Sequence, residues 1–335
     1  MNKYISPLLM LVIATFVMAS GWAQARSEGF YISSDIGLNI ASGIETTGYS
    51  NDRASVCDEY TNPMYREVED SGAVDAPTNG TKYSEYNCTG PNRGSTGDWH
   101  NKFDSATGIL AGAAVGYSFA KQSPNSPLGG LRVELEYFYR QSNYDESAAV
   151  PSGEGESGDK LQQEIVRATD RIDGITSHNL FGNLYYDFAN TSRFTPYIGI
   201  GGGMGATDMA YSSVWARNSD ASKIDTGYGL PNASDIRQNL AGTVSVAETT
   251  LSDTLWGLQV LFGVDYAVTE AMSLGLKGRW VRFNSFDSGQ GPLVWDPLRG
   301  HVPNLRRDGS EPVAGGLKTD NIDFFGISVN MKYHF

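Results

Sequence analysis

Apolar and polar residues alternate one by one along several stretches of this 335-residue chain. The pattern is clearest where Trp256, Leu258, Val260 and Phe262 fall on one face of a strand, and small or polar residues fall on the other. A period of two residues indicates a β-strand with one apolar face. Such stretches predict eight strands, at about 29–41, 105–120, 131–145, 177–189, 194–212, 253–268, 272–286 and 320–335.

The connections between the predicted strands alternate in length. The short ones are KQSPNSPLGG, NTSR and TEA, and the long ones cover 42–104, 146–176, 213–252 and 287–319. Outer-membrane barrels show this asymmetry, with short periplasmic turns and long extracellular loops, and their strands need only about ten residues. An even strand count places both ends in the periplasm. The predicted fold class is therefore all-β: an eight-stranded antiparallel up-and-down transmembrane β-barrel with four long extracellular loops.

Outward aromatic residues test this topology, because membrane barrels carry aromatic girdles at both interfaces. A soluble β-sandwich, the competing interpretation of the alternation, gives no reason for such an order. The topology assigns to the periplasmic interface Phe30, Tyr117, Phe119, Tyr186, Phe188, Tyr266, Tyr333 and Phe335. It assigns to the extracellular interface Tyr137, Tyr139, Trp256 and Trp280. Aromatics at the expected strand ends favour the membrane barrel.

The first 25 residues predict a secretory signal peptide. A lysine stands near the start, an apolar run follows from Leu8 to Met18, and small residues flank Gln24. A membrane anchor is the alternative, but the run is shorter than the roughly twenty residues that a spanning helix needs. Residues 26–335 then form one barrel domain.

The amino-acid composition is consistent with the predicted barrel and changes that prediction little. The chain has 39 glycines, 18 tyrosines and 14 phenylalanines, which suit turns, curved strands and girdles. Its mean hydropathy is negative, as it is in barrels whose strands alternate. A formal charge of −13 argues against a nucleic-acid partner, whose phosphates it would repel.

The stretch TPYIGIGGGMGA contains the spacing G-x-G-x-x-A at Gly201, Gly203 and Ala206. In a dinucleotide-binding fold this spacing follows a strand and opens a helix. The next residues, TDMAYSSVWARNSD, show little apolar recurrence at helical spacing. We therefore interpret the stretch as a strand whose inward glycines let a small barrel bend.

Three segments carry a resemblance: GFYISSDIGLNIA, NLFGNLYYDF followed by TPYIGIGGG, and the closing GISVNMKYHF. They resemble the eight-stranded outer-membrane β-barrel superfamily of OmpA-like barrels, opacity-type adhesins and rickettsial-type surface antigens. The resemblance covers the strands and not the loops. It implies a location in the outer membrane of a Gram-negative bacterium, in contact with lipid and lipopolysaccharide. It also implies that the barrel-assembly machinery reads Tyr333 and Phe335, although Asn330 stands where that signal usually has glycine.

The inward face carries charges of both signs in equal number. The acids are Asp35, Glu134, Glu136, Asp187 and Asp265, and the bases are Arg132, Arg140, Lys277, Arg279 and Lys332. Eight strands enclose a space that side chains can fill. We expect a paired and largely plugged lumen, because buried charges are tolerated when they are paired. A narrow path for ions or small solutes is the alternative, and contacts of Glu134 and Glu136 with Lys277 and Arg279 decide between them.

No catalytic, cofactor or metal site is predicted. Among the histidines, only His178 lies near the extracellular end of a strand, beside Ser177. Neighbouring strand residues point to opposite faces, so these two cannot form a nucleophile and its base. A histidine at the barrel rim is the favoured interpretation, and we expect no enzyme activity.

The long loops hold the remaining features. Residues 42–104 carry eleven acids, five bases and the pair Cys57 and Cys88, which predicts a disulfide in a secreted chain; a reactive-thiol or metal pair is the alternative. In the second loop, apolar residues at helical spacing predict a short amphipathic helix: Leu161, Ile165, Ala168 and Ile172. The fourth loop gathers Arg299, His301, Arg306 and Arg307, either as a solvated cluster or against lipopolysaccharide phosphates.

These interpretations favour an outer-membrane surface or structural protein, similar to a surface antigen or adhesin. Its loops would meet host molecules or neighbouring envelope components, an expectation that rests on analogy with the resembling superfamily. A narrow porin for small solutes or ions is the alternative function.

Overall fold

The fold is taken from a computed structural model of the chain. It describes residues 29–50, 97–119, 129–150, 165–188, 190–224, 233–289, 291–295 and 314–335. Several predictions concern residues outside this set: the signal peptide, the Cys57–Cys88 disulfide, and the loop residues Arg299, His301, Arg306 and Arg307. No helix in the described part of the chain is long and apolar enough to cross a membrane.

The described residues form ten β-strands. They are β1 (Gly29–Ala41), β2 (Ile44–Ser50), β3 (Gly97–Phe103), β4 (Ala106–Ser118), β5 (Leu131–Ala149), β6 (Ile165–Asp187), β7 (Phe194–Arg217), β8 (Val244–Ala267), β9 (Met272–Asp287) and β10 (Gly315–His334). Between β7 and β8 lie a 3-10 helix (Ala221–Lys223) and a short α-helix, α1 (Ala233–Leu240).

Eight of the strands close into a ring. β1, β4, β5, β6, β7, β8, β9 and β10 pair antiparallel in that order, and β10 pairs again with β1. β2 continues β1, and β3 continues β4, after interruptions at 42–43 and 104–105. β2 also stays paired with β10. The predicted eight-stranded antiparallel up-and-down barrel is confirmed, with its first two strands interrupted.

Most ring strands run further than the alternation predicted. β6 begins at Ile165, β7 ends at Arg217 and β8 begins at Val244, well inside the ranges assigned to long loops. β2 and β3 likewise occupy both ends of the predicted first loop. The long connections are therefore shorter than predicted.

The amphipathic helix predicted in the second loop is wrong from Ile165 onward. Ile165, Ala168 and Ile172 are buried residues of strand β6, and Leu161 lies outside the described residues. The register of β6 against β7 shifts twice along this stretch. The first shift adds a residue on β6, so Ile165 and Ala168 face inward three positions apart. Ala168 and Ile172 are four apart because the inward residue between them is the polar Asp170, and together these spacings resemble those of a helix.

The outer face of the ring carries a band of exposed apolar side chains, among them Ile36 and Leu258, each 71% exposed. Aromatic residues border it in two rows. The terminal row lies at the end of the barrel that holds Gly29 and contains Phe30, Tyr117, Phe119, Tyr186, Phe188, Tyr266, Tyr333 and Phe335. The loop row lies at the other edge of the band and contains Tyr137, Tyr139, Trp256 and Trp280. An apolar band with aromatic residues along both edges is typical of a barrel that faces lipid.

Beyond the loop row the strands continue with mostly polar outward side chains, such as Gln141, Asp208 and Arg282. We call this part the polar extension; it contains β2, β3 and the loop-side ends of β5 to β10. Its strands stand outside the apolar band and therefore outside the lipid.

Four of the five glycines of β7 lie on the inner face of the sheet, and Gly202 lies on the outer face. A Cβ atom at Gly203, on the inner face, would lie 2.1 Å from the backbone oxygen of Leu180. A Cβ atom at Gly202, on the outer face, would have no neighbour closer than 3.6 Å, at Leu258. The G-x-G-x-x-A spacing thus lies within one unbroken strand, where the inward glycines allow neighbouring strands to pack closely.

This difference predicts unequal effects of one substitution at adjacent positions. Gly203→Ala is expected to lower the free energy of unfolding by about 1–3 kcal/mol, because the new methyl group overpacks the interior. Gly202→Ala is expected to stay within about 0.5 kcal/mol of the wild type. Urea unfolding in lipid vesicles, followed by tryptophan fluorescence, measures both. Equal effects would contradict the assignment of the two faces.

Candidate functional site

The lumen holds all ten predicted charged residues, each no more than 8% exposed. Glu136 lies at the centre. Its Oε1 atom accepts hydrogen bonds from Lys277 Nζ and Arg279 Nη2, both at 2.7 Å. Asp35 pairs with the same two cations from β1, which lies two strands from β5 and two strands from β9 in the ring. These four residues, the central cluster, join β1, β5 and β9 across the lumen.

Two further ion pairs lie between the central cluster and the terminal row. Arg132 Nε is 2.8 Å from Asp187 Oδ2, and its guanidinium lies 4.5 Å from the centre of the Tyr185 ring. Lys332 pairs with Asp265. Ion pairing and cation–π contact both compensate for the burial of these charges.

Two of the ten residues, Glu134 and Arg140, form no salt bridge with another described residue. Glu134 accepts hydrogen bonds from the hydroxyl groups of Tyr31 and Tyr185, each at 2.9 Å, and not from Lys277 or Arg279. Arg140 donates to Ser177 Oγ at 3.3 Å, and no described carboxylate lies within salt-bridge distance of it. Alternation assigns a residue to the inner face but does not give its height along the barrel. Glu134 and Arg140 lie at heights different from that of the central cluster and therefore meet other partners.

Four phenylalanines close the lumen on the loop side of the central cluster. Phe138, Phe181, Phe283 and Phe324 come from four strands, and each is at most 1% exposed. The centroids of neighbouring rings are 5.4, 6.0, 6.5 and 6.3 Å apart around the circuit. Arg279 lies 4.5 Å from the centre of the Phe138 ring, so this phenylalanine layer rests on the central cluster. All four have the inward parity of their strands, so alternation is the signal in the sequence that could have found this layer.

An apolar core fills the barrel beyond the phenylalanine layer. It takes buried side chains from the hairpin β2–β3 as well as from the ring, including Ile44, Phe103 and Leu251. Trp99 packs edge to face with Trp215 at 5.5 Å and with Trp295 at 5.8 Å. The described lumen is therefore packed along the whole height of the barrel.

Asp170 is a fully buried carboxylate inside this apolar core. Its Oδ2 atom accepts hydrogen bonds from Trp99 Nε1 at 2.7 Å and from Asn101 Nδ2 at 2.6 Å. Trp99 and Asn101 belong to β3 and Asp170 belongs to β6, which is not a neighbour of β3 in the sheet. Asp170 therefore ties the hairpin β2–β3 to the ring.

Ser177 and His178 point to opposite faces of β6. Ser177 is buried inside the barrel, whereas His178 is exposed on the outer face. The hydroxyl oxygen of Tyr137 lies 2.7 Å from His178 Nδ1, and the Tyr139 ring centre lies 5.2 Å from the imidazole. His178 thus forms part of the loop row, and the geometry does not join it to Ser177.

A cleft of about 620 Å³ opens in the wall of the polar extension, between β3 and β5. His100 and Lys102 line one side, and Ala148 and Ala149 line the other. Lys102 Nζ donates a hydrogen bond to Glu45 Oε1 at 2.7 Å. This hydrogen bond holds the pKa of Glu45 below its ordinary value and raises the pKa of Lys102.

The closed eight-stranded ring, its apolar outer band with two aromatic rows, and its side-chain-filled interior define a transmembrane β-barrel of the outer-membrane type. The class rests on these features of the fold.

Comparison with protein families finds no match, and no curated protein matches the sequence. Among solved structures, the chain is similar to Neisserial surface protein A, at 14% identity over 91% of this chain and 97% of that one, with a TM-score of 0.35. It is also similar to the outer membrane protein OprG from Pseudomonas aeruginosa, at 14% identity over 93% of this chain and 100% of that one, with a TM-score of 0.38. A third is Ail of Yersinia pestis, at 7% identity over 92% and 100%, with a TM-score of 0.27.

Proposed function

We propose that the protein is an outer-membrane surface protein that acts through its polar extension and loops and passes no solutes through its lumen. The packed lumen is the observation that supports this proposal. The central cluster and the phenylalanine layer lie in series, and their side chains are at most 8% exposed. A path for ions would have to break buried ion pairs and part four packed aromatic rings, and both changes are costly.

Conductance in planar bilayers tests the proposal against the alternative of a narrow porin. The folded protein is expected to give no steady openings. A gel shift between heated and unheated samples confirms that the reconstituted barrel is folded. Reproducible openings whose ion selectivity changes in Lys277→Gln would sink the proposal, because Lys277 then lines a water-filled path.

The proposal extends to partners and location. We place the protein in the outer membrane of a Gram-negative bacterium, with lipid and lipopolysaccharide around the apolar band and host or envelope proteins at the polar extension. Tyr333 and Phe335, both exposed outward in the terminal row, are available to the barrel-assembly machinery. The opposite orientations of Ser177 and His178 support a role without catalysis.

A further inference from the structure

β3 and β5 face each other in the polar extension without a hydrogen-bonded ladder. β4 pairs with β5 as far as Thr107 opposite Asn143. Beyond this point β5 contains a bulge, in which Asp145 has a φ of 46°, and the chain between β3 and β4 is interrupted. Among the described residues, β3 pairs only with β2, and this end of β5 pairs only with β6. We call the gap between β3 and residues 145–149 the seam.

Both sides of the seam direct backbone groups into it. Val150 N donates to Ala168 O on β6 at 3.0 Å, so the backbone groups of Ala149 and Ser147 point the other way, into the seam, because alternate residues of a strand bond to opposite neighbours. On the facing side, Asp104 N donates into the seam, to Glu146 Oε2 at 2.7 Å. The same alternation directs the backbone groups of Lys102 into the seam. An open strand edge of this kind is a template for another strand.

Side chains close the floor of the seam. Trp99 and Asn101 on β3 reach Asp170 on β6, and Asp170 is paired in register with Ala148 on β5. These hydrogen bonds hold β3 in place while leaving its edge unpaired. Ala148 packs against the apolar core and Ala149 is exposed, so the core closes the lumen beneath the seam.

The charged residues around the seam indicate which side chains a partner strand should carry. Lys102 is engaged by Glu45, and Arg171 is engaged by Asp145. Three carboxylates remain without a cation in salt-bridge distance among the described residues: Asp104, Glu146 and Asp320. The whole chain carries a formal charge of −13. A partner segment with lysine or arginine side chains therefore complements this edge.

We propose that the seam binds an extended, basic segment of a partner protein, which adds a strand beside β3 and β5 through backbone hydrogen bonds. This inference rests on the proposed function, because it names the class of partner that the polar extension takes. Backbone pairing provides the affinity, and the unpaired carboxylates provide the preference for basic residues.

Fluorescence anisotropy with the full-length protein in nonionic detergent micelles tests the inference. The probe is a labelled eight-residue peptide of alternating lysine and valine, at physiological salt. We expect saturable binding. The same peptide with N-methyl groups on alternate residues keeps its charge but cannot pair along one edge, and should bind at least about tenfold more weakly. A glutamate–valine peptide should not bind.

Two variants separate backbone pairing from charge. Ala149→Pro removes an N–H group that faces the seam and is not bonded to β6, and should weaken binding about fivefold. Glu146→Gln should weaken it about twofold, with less dependence on salt, while its matched control Glu248→Gln, an exposed carboxylate on β8, should leave it unchanged. The gel shift on heating confirms that each variant is folded.

Equal binding of the N-methylated peptide, or wild-type binding by Ala149→Pro, would overturn the inference. So would dimers in analytical ultracentrifugation that block the peptide, since a second copy would then occupy the edge. If the protein shows neither conductance nor peptide binding, the inference about the seam is wrong and the proposed function still stands. Steady conductance removes the proposed function whatever the peptide does.

Discussion

Glu136→Ala is expected to lower the free energy of unfolding by about 3–5 kcal/mol, which is typical of removing one partner from a buried ion pair. Glu136 is fully buried and accepts hydrogen bonds from Lys277, Arg279 and Asn183. Without it, two buried cations share one carboxylate, that of Asp35. The large effect comes from the uncompensated charge and not from the loss of attraction alone.

Urea unfolding in lipid vesicles measures this effect, and two variants act as controls. Glu45→Ala removes an exposed partner of Lys102 and should leave the unfolding curve unchanged, because both groups are solvated. The double variant Glu136→Met with Lys277→Met should lose much less stability than Glu136→Ala, because it removes an acid and a base together. A double variant at least as unstable as the single one would contradict the ion-pair explanation.

The membrane-embedded half of the fold could be predicted because lipid imposes one simple rule. Within the apolar band every second residue must be apolar, and the strand predicted at about 29–41 agrees with β1 (Gly29–Ala41) for that reason. In the polar extension the rule is inverted, because the apolar side chains face inward and the outside meets water. In β8 the change occurs between Leu255, which is buried, and Trp256, which is exposed. The predicted strand started near this point, where the outward apolar alternation begins.

The sequence predicted which face of the sheet each residue of the candidate site lies on, but not which residues it contacts. Alternation placed Glu134, Glu136 and Arg140 on the inner face, where all three are buried. Their partners depend on the stagger between strands, which no local pattern encodes. Glu136 therefore meets two cations, whereas Glu134 meets two tyrosines and Arg140 meets Ser177. The seam depends on a bulge at Asp145. It could not be predicted either, because the pairing between strands is not encoded in a local pattern.

Asp170→Ala is expected to lower the free energy of unfolding by about 2–4 kcal/mol and to loosen the hairpin β2–β3. The substitution leaves Trp99 Nε1 and Asn101 Nδ2 buried without their acceptor, and each buried unsatisfied donor costs about 1–3 kcal/mol. β3 has no backbone pairing with β5 to compensate, so the side-chain bonds to Asp170 carry a large part of its attachment to the ring.

Acrylamide quenching of tryptophan fluorescence distinguishes local release of the hairpin from general instability. Trp99 is almost fully buried in the wild type, so Asp170→Ala should quench more strongly in the absence of urea. Asp170→Asn keeps an oxygen acceptor, so its quenching should lie between that of the wild type and that of Asp170→Ala. Asp208→Ala removes an exposed acceptor of Ser252 and should be quenched to the same extent as the wild type. The gel shift on heating should persist in Asp170→Ala, because β1 and β4 pair with each other and with β10 and β5 independently of the hairpin. Wild-type quenching in Asp170→Ala would show that packing around Trp99 holds the hairpin without the carboxylate.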